Sequence, residues 1–195
     1  MPGAHGAPVT APSLPAAFYL IAAAALAADQ LVKWAVVGSL ALGARVAVIP
    51  GFLSLTHARN PGAAFGLLPT ATVGLIVAGV IIIAILLLYG RKVAACRPLW
   101  IGLALQVGGA LGNLVDRVFR GPTLFHGRVV DFIDVQLTRT YTWPTFNVAD
   151  ICITVGAVLI GYCLLTGKAD GDRRGPAETT DEPGSSGPQS ASPSA

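Results

Sequence analysis

"FNVADICITVGAVLIGYCLL", residues 146–165, holds a single charged side chain, Asp150, close to its start. From Ile151 to Gly167 the chain is apolar, small or uncharged. Twenty helical residues rise about 30 Å, the thickness of a bilayer's hydrocarbon core. A carboxylate at the mouth of such a helix is costly unless it is neutralised or has a task. One local account is available. Asn147 is placed to cap the helix, and Asp150 falls in the first turn, where the positive helix end favours an anion. Capping would also hold Asp150 rigidly, so it is compatible with a chemical role.

The rest of the chain has the same character. Of its 195 residues 53% are hydrophobic and 12% charged, against about 25% charged in soluble domains. The apolar excess falls into four blocks, about 16–37, 70–90, 98–118 and 147–167. The fold class expected is an all-α membrane protein, a four-transmembrane-helix bundle forming one domain over 16–167. Residues 1–15 and 168–195 are rich in Pro, Gly, Ala and Ser, and are expected to be disordered tails. A small extracytoplasmic β element is expected in 44–59, where Val46, Val48, Leu53 and Leu55 flank the turn signal Pro50-Gly51. "GRVVDFIDVQL", residues 127–137, is apolar and β-branched around acids, which is unusual for a simple connector.

Charge placement speaks to topology. The connection "GRKVAACRP" holds Arg91, Lys92 and Arg97, so the positive-inside bias puts it in the cytoplasm. Four spans then place both termini inside and loops 38–69 and 119–146 outside. The first block is read as a retained helix and not a cleaved leader, because residues 1–17 contain no Lys or Arg. Net charge is +3 with no basic stripe interleaved with aromatics, so no nucleic-acid partner is expected. Cys96, Cys152 and Cys163 are scattered, without the spacing of a disulfide framework or a zinc site.

The polar residues of the spans group at helical spacings. In "DQLVKW" Asp29 and Lys33 are four apart and can neutralise each other. In "GGALGNLVDRVFRG" Asn113, Asp116 and Arg117 form one stripe, with Arg117 or the asparagine amide as the expected partner of Asp116. Gly108 and Gly112 make a small-xxx-small pair that admits a neighbouring helix. "RNPGAAFG", residues 59–66, is a turn of small residues ending in an aromatic. One rim of the bundle could therefore gather Asp116, Asp131, Asp134 and Asp150 beside Asn60, Asn113, Arg117 and Asn147.

Elimination narrows the chemistry. There is no H-E-x-x-H, and the three histidines are scattered, which argues against a zinc hydrolase. No G-x-S-x-G elbow occurs. Carboxylates remain. Two that share a site cannot both ionise easily, and the pair can activate a water and protonate a leaving amine without metal or cofactor.

"DQLVK", "NPGAAFG", "GNLVDR", "VVDF" and "FNVAD" together resemble, in order and position, the motifs of lipoprotein signal peptidase, the type II signal peptidase of bacteria. The resemblance covers about residues 16–167. It implies an aspartyl endopeptidase of the bacterial plasma membrane, with no cofactor or metal and its site near the extracytoplasmic face. Its partners would be membrane lipid and prolipoproteins carrying diacylglycerol on a cysteine, cut just before that cysteine; oligomeric state stays open. By position, Asp131 and Asp150 would be catalytic. Asn113, Asp116, Arg117 and Asn147 would orient the pair and support substrate, and Asp29, Lys33 and Asn60 would be further supporting positions. Two residues depart from the pattern: Val32 stands where the family has Ser or Thr, and Ile151 where a small polar residue is common. Lipid-facing grooves are expected near Phe65 and Phe132. The rival readings are a proton-coupled transporter or channel, with Asp29, Lys33 and Asp116 as a relay, and a scaffold whose acids are only caps and ion pairs.

Overall fold

A computed structural model describes residues 14–62, 72–93 and 97–166. Both tails and the Phe65 groove expected from the sequence lie outside these residues or nearly so. Among the described residues there are four helices and three strands: α1 (Ala16–Ser39), β1 (Arg45–Ile49), β2 (Leu53–Asn60), α2 (Thr72–Val93), α3 (Arg97–Phe119), β3 (Val129–Val135) and α4 (Val148–Leu165). Three helices, α1, α3 and α4, are long and apolar enough to cross a membrane, and α2 carries a shorter apolar stretch, Thr72–Leu88. Their outer faces stay exposed: Leu20 and Trp34 on α1, Ile81 and Ile85 on α2, Val158 and Leu164 on α4. In a bilayer those faces meet acyl chains, so exposure there carries no hydrophobic penalty.

α3 is the central helix and packs against α1, α2 and α4. Glycines on two of its faces let the backbones approach. A Cβ on Gly108 would lie 2.5 Å from Ala22 O of α1, and one on Gly109 would lie 2.5 Å from Ala149 O of α4. Both obstacles are backbone atoms and cannot swing aside. Gly109→Ala is therefore expected to destabilise the protein by about 1–3 kcal/mol and to displace the first turn of α4. Thermal unfolding in detergent checks this, and an unchanged midpoint would refute the packing argument.

The strands form one antiparallel sheet in the order β1-β2-β3. Gly51, at φ 76°, closes the β1–β2 turn in the left-handed region. Alternation along β3 sends its side chains to two faces. Val130 and Phe132 pack with Val36 of α1, whereas Val129 and Asp131 face a cavity. Phe132 is thus a core residue beneath the end of α1, one step out of phase with Asp131. Beyond β3 the chain returns, and Phe146 bridges to Ile133. Phe146 O accepts from the N–H groups of Phe132 (3.0 Å) and Ile133 (2.8 Å). That bridge brings the start of α4 against the strand that carries Asp131.

Candidate active site

Asn147 sits at the N-cap of α4 in extended backbone, and a capping box is complete. Its Oδ1 accepts from Asp150 N at 3.0 Å, and its own N–H donates to Asp150 Oδ2 at 3.2 Å. The cap expected from local spacing is therefore present. With Oδ1 committed to a backbone N–H, the amide orientation of Asn147 is determined. Its Nδ2 then donates to Asp131 Oδ1 at 2.7 Å and to Asn113 Oδ1 at 3.1 Å. One asparagine holds both carboxylates. Asn113 completes the circuit, donating from Nδ2 to Asp150 Oδ1 at 2.9 Å. Asn60, whose Oδ1 accepts from Gly62 N, donates to Asp131 Oδ2 at 3.0 Å.

Behind this pair lies a fully buried charge cluster. Lys33 Nζ is 2.8 Å from Asp29 Oδ2 and 2.9 Å from Asp116 Oδ2, all three side chains having no solvent exposure. Lys33 also donates to Asn113 Oδ1 at 3.0 Å. The two acids reach forward to matching places. Asp29 Oδ1 accepts from Ala149 N at 2.9 Å, one residue before Asp150. Asp116 Oδ2 accepts from Val130 N at 3.1 Å, one residue before Asp131. Lys33 bridges the two, so a single ammonium ties together the backbones that carry Asp131 and Asp150.

Several sequence expectations change here. Asp116 is not held by Arg117 or by the Asn113 amide. Its partners are Lys33, Arg120 Nε at 2.7 Å, Gln30 Nε2 at 3.3 Å and the Val130 N–H. Arg117, the next residue on the helix, turns away; its Nη2 donates to Gly62 O. Arg117 Nη1 is buried and has no partner among the described residues, and Arg117 lines the cavity. Asp134 does not join the other acids. It is out of phase with Asp131 on β3 and pairs with Arg45 Nε at 3.1 Å. Gln30 and Arg120 were missed by sequence reasoning. Arg120 is four residues after Asp116, the spacing that permits a helical ion pair, so a signal existed.

The cavity in front of the two carboxylates has a volume of about 720 Å³ and is bounded by Asn60, Arg117, Asp131, Trp143, Phe146 and Asp150, among others. Burial pushes the Asp131 carboxyl up to about 6 from its ordinary 3.8, with the neighbouring charge of Asp150 adding to the effect. Hydrogen bonds from Asn60 and Asn147 and the charge of Lys33 oppose it. The native protein thus holds this proton more tightly than the unfolded chain. Its contribution to stability is full below 3.8 and is lost as pH rises through about 6. Infrared titration of the protonated carboxyl band is expected to show Asp131 losing its proton near pH 6 and titrating lower in Asp150→Asn. A band that ignores the Asp150 substitution would refute the electrostatic coupling.

The sequence profile described as Signal peptidase (SPase) II matches residues 21–166.

The chain belongs to the signal peptidase II family.

Among its relatives is a lipoprotein signal peptidase of Symbiobacterium thermophilum, 40% identical over 142 residues, which are 72% of this chain and 89% of that protein. Another, from Rhodococcus jostii, is 42% identical over 161 residues, 80% of this chain and 77% of that protein. Among solved structures, a bacterial membrane enzyme determined by the in meso method at 2.3 Å resolution has a TM-score of 0.71 and 32% identity, covering 84% of this chain and 96% of the other. A second such structure, at 1.9 Å, has a TM-score of 0.66 and 33% identity, covering 79% and 96%. The signal peptidase II match spans every described residue that lines the cavity, from Ala58 to Thr154.

Proposed function

We propose that this member of the signal peptidase II family is an aspartyl endopeptidase that removes signal peptides from diacylglyceryl-modified prolipoproteins, cutting just before the lipidated cysteine. Asp131 and Asp150 carry the reaction. The observation behind this reading is that Asn147 hydrogen-bonds both carboxyl groups, at the edge of a cavity that both line.

A water held between the acids is the nucleophile. Asp150, held by Asn113 Nδ2 and the Asn147 N–H at its two oxygens, is the base and takes a proton from the water. The water oxygen attacks the scissile carbonyl carbon while protonated Asp131 delivers its proton to the carbonyl oxygen. A gem-diol results. On collapse the C–N bond breaks, the proton gained by Asp150 passes to the departing amine, and Asp131 recovers a proton from the diol. The unpartnered Arg117 Nη1 is placed to donate to a substrate carbonyl.

The protein crosses the bilayer four times, α2 being the fourth span, with both termini cytoplasmic and the acids at the extracytoplasmic face. A site at the end of lipid-facing helices lets the acyl chains of the substrate stay in the membrane during cleavage. A proton relay along the spans is not favoured, since Asp29 and Asp116 are each tied to Lys33.

The test is an assay of the purified protein with a precursor carrying diacylglycerol on its cysteine, and with the same precursor unmodified. Mass spectrometry should find a new N-terminus at the lipidated cysteine and little product from the unmodified precursor. Equal cleavage of both would overturn the substrate assignment.

A further inference from the structure

A second concavity, of about 500 Å³, opens at the same end of the helices as the acids. Arg59, Arg120, Arg128 and His126 line it, with Leu42, Thr72 and Pro122 among the other residues, and among the described residues no carboxylate does. Its place is set by the helix ends. Leu42 follows α1, Thr72 opens α2, and Arg120 and Pro122 follow α3. In a membrane-embedded bundle this is the level of the lipid headgroups.

The concavity is held in shape by backbone bonds. Gly127 N donates to Arg117 O at 2.9 Å and Phe125 N to Val118 O at 3.0 Å, folding the loop after α3 back onto its last turn. Arg59 Nη1 donates to Arg120 O at 3.2 Å. Arg120 is partly neutralised by Asp116. Arg128 is exposed and has no hydrogen-bond or ion-pair partner among the described residues. Phe119, Leu124 and Phe125, chain neighbours of Arg120 and His126, are exposed. Phe125 adopts φ 67°, a left-handed conformation unfavourable for a bulky residue. Guanidinium groups and exposed apolar side chains on one turn of chain suit an anionic lipid: its phosphate meets the cations and its acyl chains the apolar side chains.

We propose that this concavity binds the phosphodiester headgroup of an anionic phospholipid, separately from the cleft that holds Asp131 and Asp150. Arg128 and Arg59 supply the charge, and Phe119, Leu124 and Phe125 meet the acyl chains. A zwitterionic lipid carries the same phosphate, but its ammonium would face the arginines, so the site discriminates against it. Arg59 lines both cavities and precedes Asn60, which holds Asp131. A bound headgroup therefore lies one residue from the cleft.

The experiment is native mass spectrometry of the full chain in detergent, titrated with phosphatidylglycerol, with phosphatidylcholine and with inorganic phosphate. Phosphatidylglycerol should be retained about fivefold more than phosphatidylcholine. Arg128→Gln should remove about fivefold of the phosphatidylglycerol retention, leaving phosphatidylcholine retention and thermal stability unchanged. Arg139→Gln, an exposed arginine away from the concavity, should change neither. Equal retention of the two lipids, or equal effects of the two substitutions, would overturn the proposal. Displacement of phosphatidylglycerol by inorganic phosphate at matched concentration would assign the site to a free anion and overturn the lipid reading.

Discussion

Asp150→Asn is expected to lower turnover of a lipidated precursor by about 10²–10⁴-fold, and Asp131→Asn to do the same. Each substitution removes a group assigned to proton transfer and preserves its shape. Neither is structurally silent. Asn60 and Asn147 have their amide oxygens committed to Gly62 N and Asp150 N, so both direct NH₂ groups at Asp131. An amide at residue 131 must oppose one donor with another. The same holds at residue 150, between Asn113 Nδ2 and Asn147 N. One unmade buried hydrogen bond costs about 1–3 kcal/mol, which lowers the melting point without unfolding the protein. Turnover and thermal unfolding measured on the same detergent preparation separate the two effects. Asp134→Asn is the control and should retain most activity, since Asp134 faces Arg45. A folded Asp131 or Asp150 variant with near wild-type turnover would sink the assignment. If all the loss tracked melting, the acids would be only caps and pairing groups.

Lys33→Met should be the most destabilising single change in the buried cluster. It leaves Asp29 and Asp116 without their shared ammonium, at zero solvent exposure. Removing one partner of a buried ion pair typically costs about 3–5 kcal/mol, and here two carboxylates are affected. Arg120 and Gln30 compensate Asp116 in part; Asp29 keeps the Gln30 amide and the Ala149 N–H. Asp29→Asn added to Lys33→Met should therefore recover part of the loss. Activity should fall in Lys33→Met beyond what stability explains, because Lys33 also orients the Asn113 amide toward Asp150. Denaturant titration in mild detergent reads the first effect. A Lys33→Met protein within about 1 kcal/mol of the parent would show that the cluster is compensated by something other than Lys33.

The parts of the site legible in the sequence are those set by local geometry. Asn147 and Asp150 are three apart, and Asp29 and Lys33 four apart, so one helical turn determines each contact. The β1–β2 hairpin was readable from Pro50-Gly51 between alternating apolar residues. The partners of Asp116 were not readable from its own helix, because Lys33 and Gln30 arrive from α1 and the Val130 N–H from β3. Asp131 and Asp134 were grouped together as rim acids, although their odd separation places them on opposite faces of any strand. Which face is inward depends on α1 docking through Val36 onto Val130 and Phe132. No local pattern contains that information.

The bridge between Phe146 and Ile133, followed at once by the cap at Asn147, bears on how this enzyme can diversify. The spacing of its two acids is measured along a few consecutive peptide units, with no slack between the bridge and Asp150. One residue inserted between Phe146 and Asp150 would turn the carboxylate roughly 100° around the helix, whereas the exposed 138–142 stretch lies outside that ruler and can lengthen freely. Variation in length among descendants of this chain should accumulate in the second segment and be purged from the first.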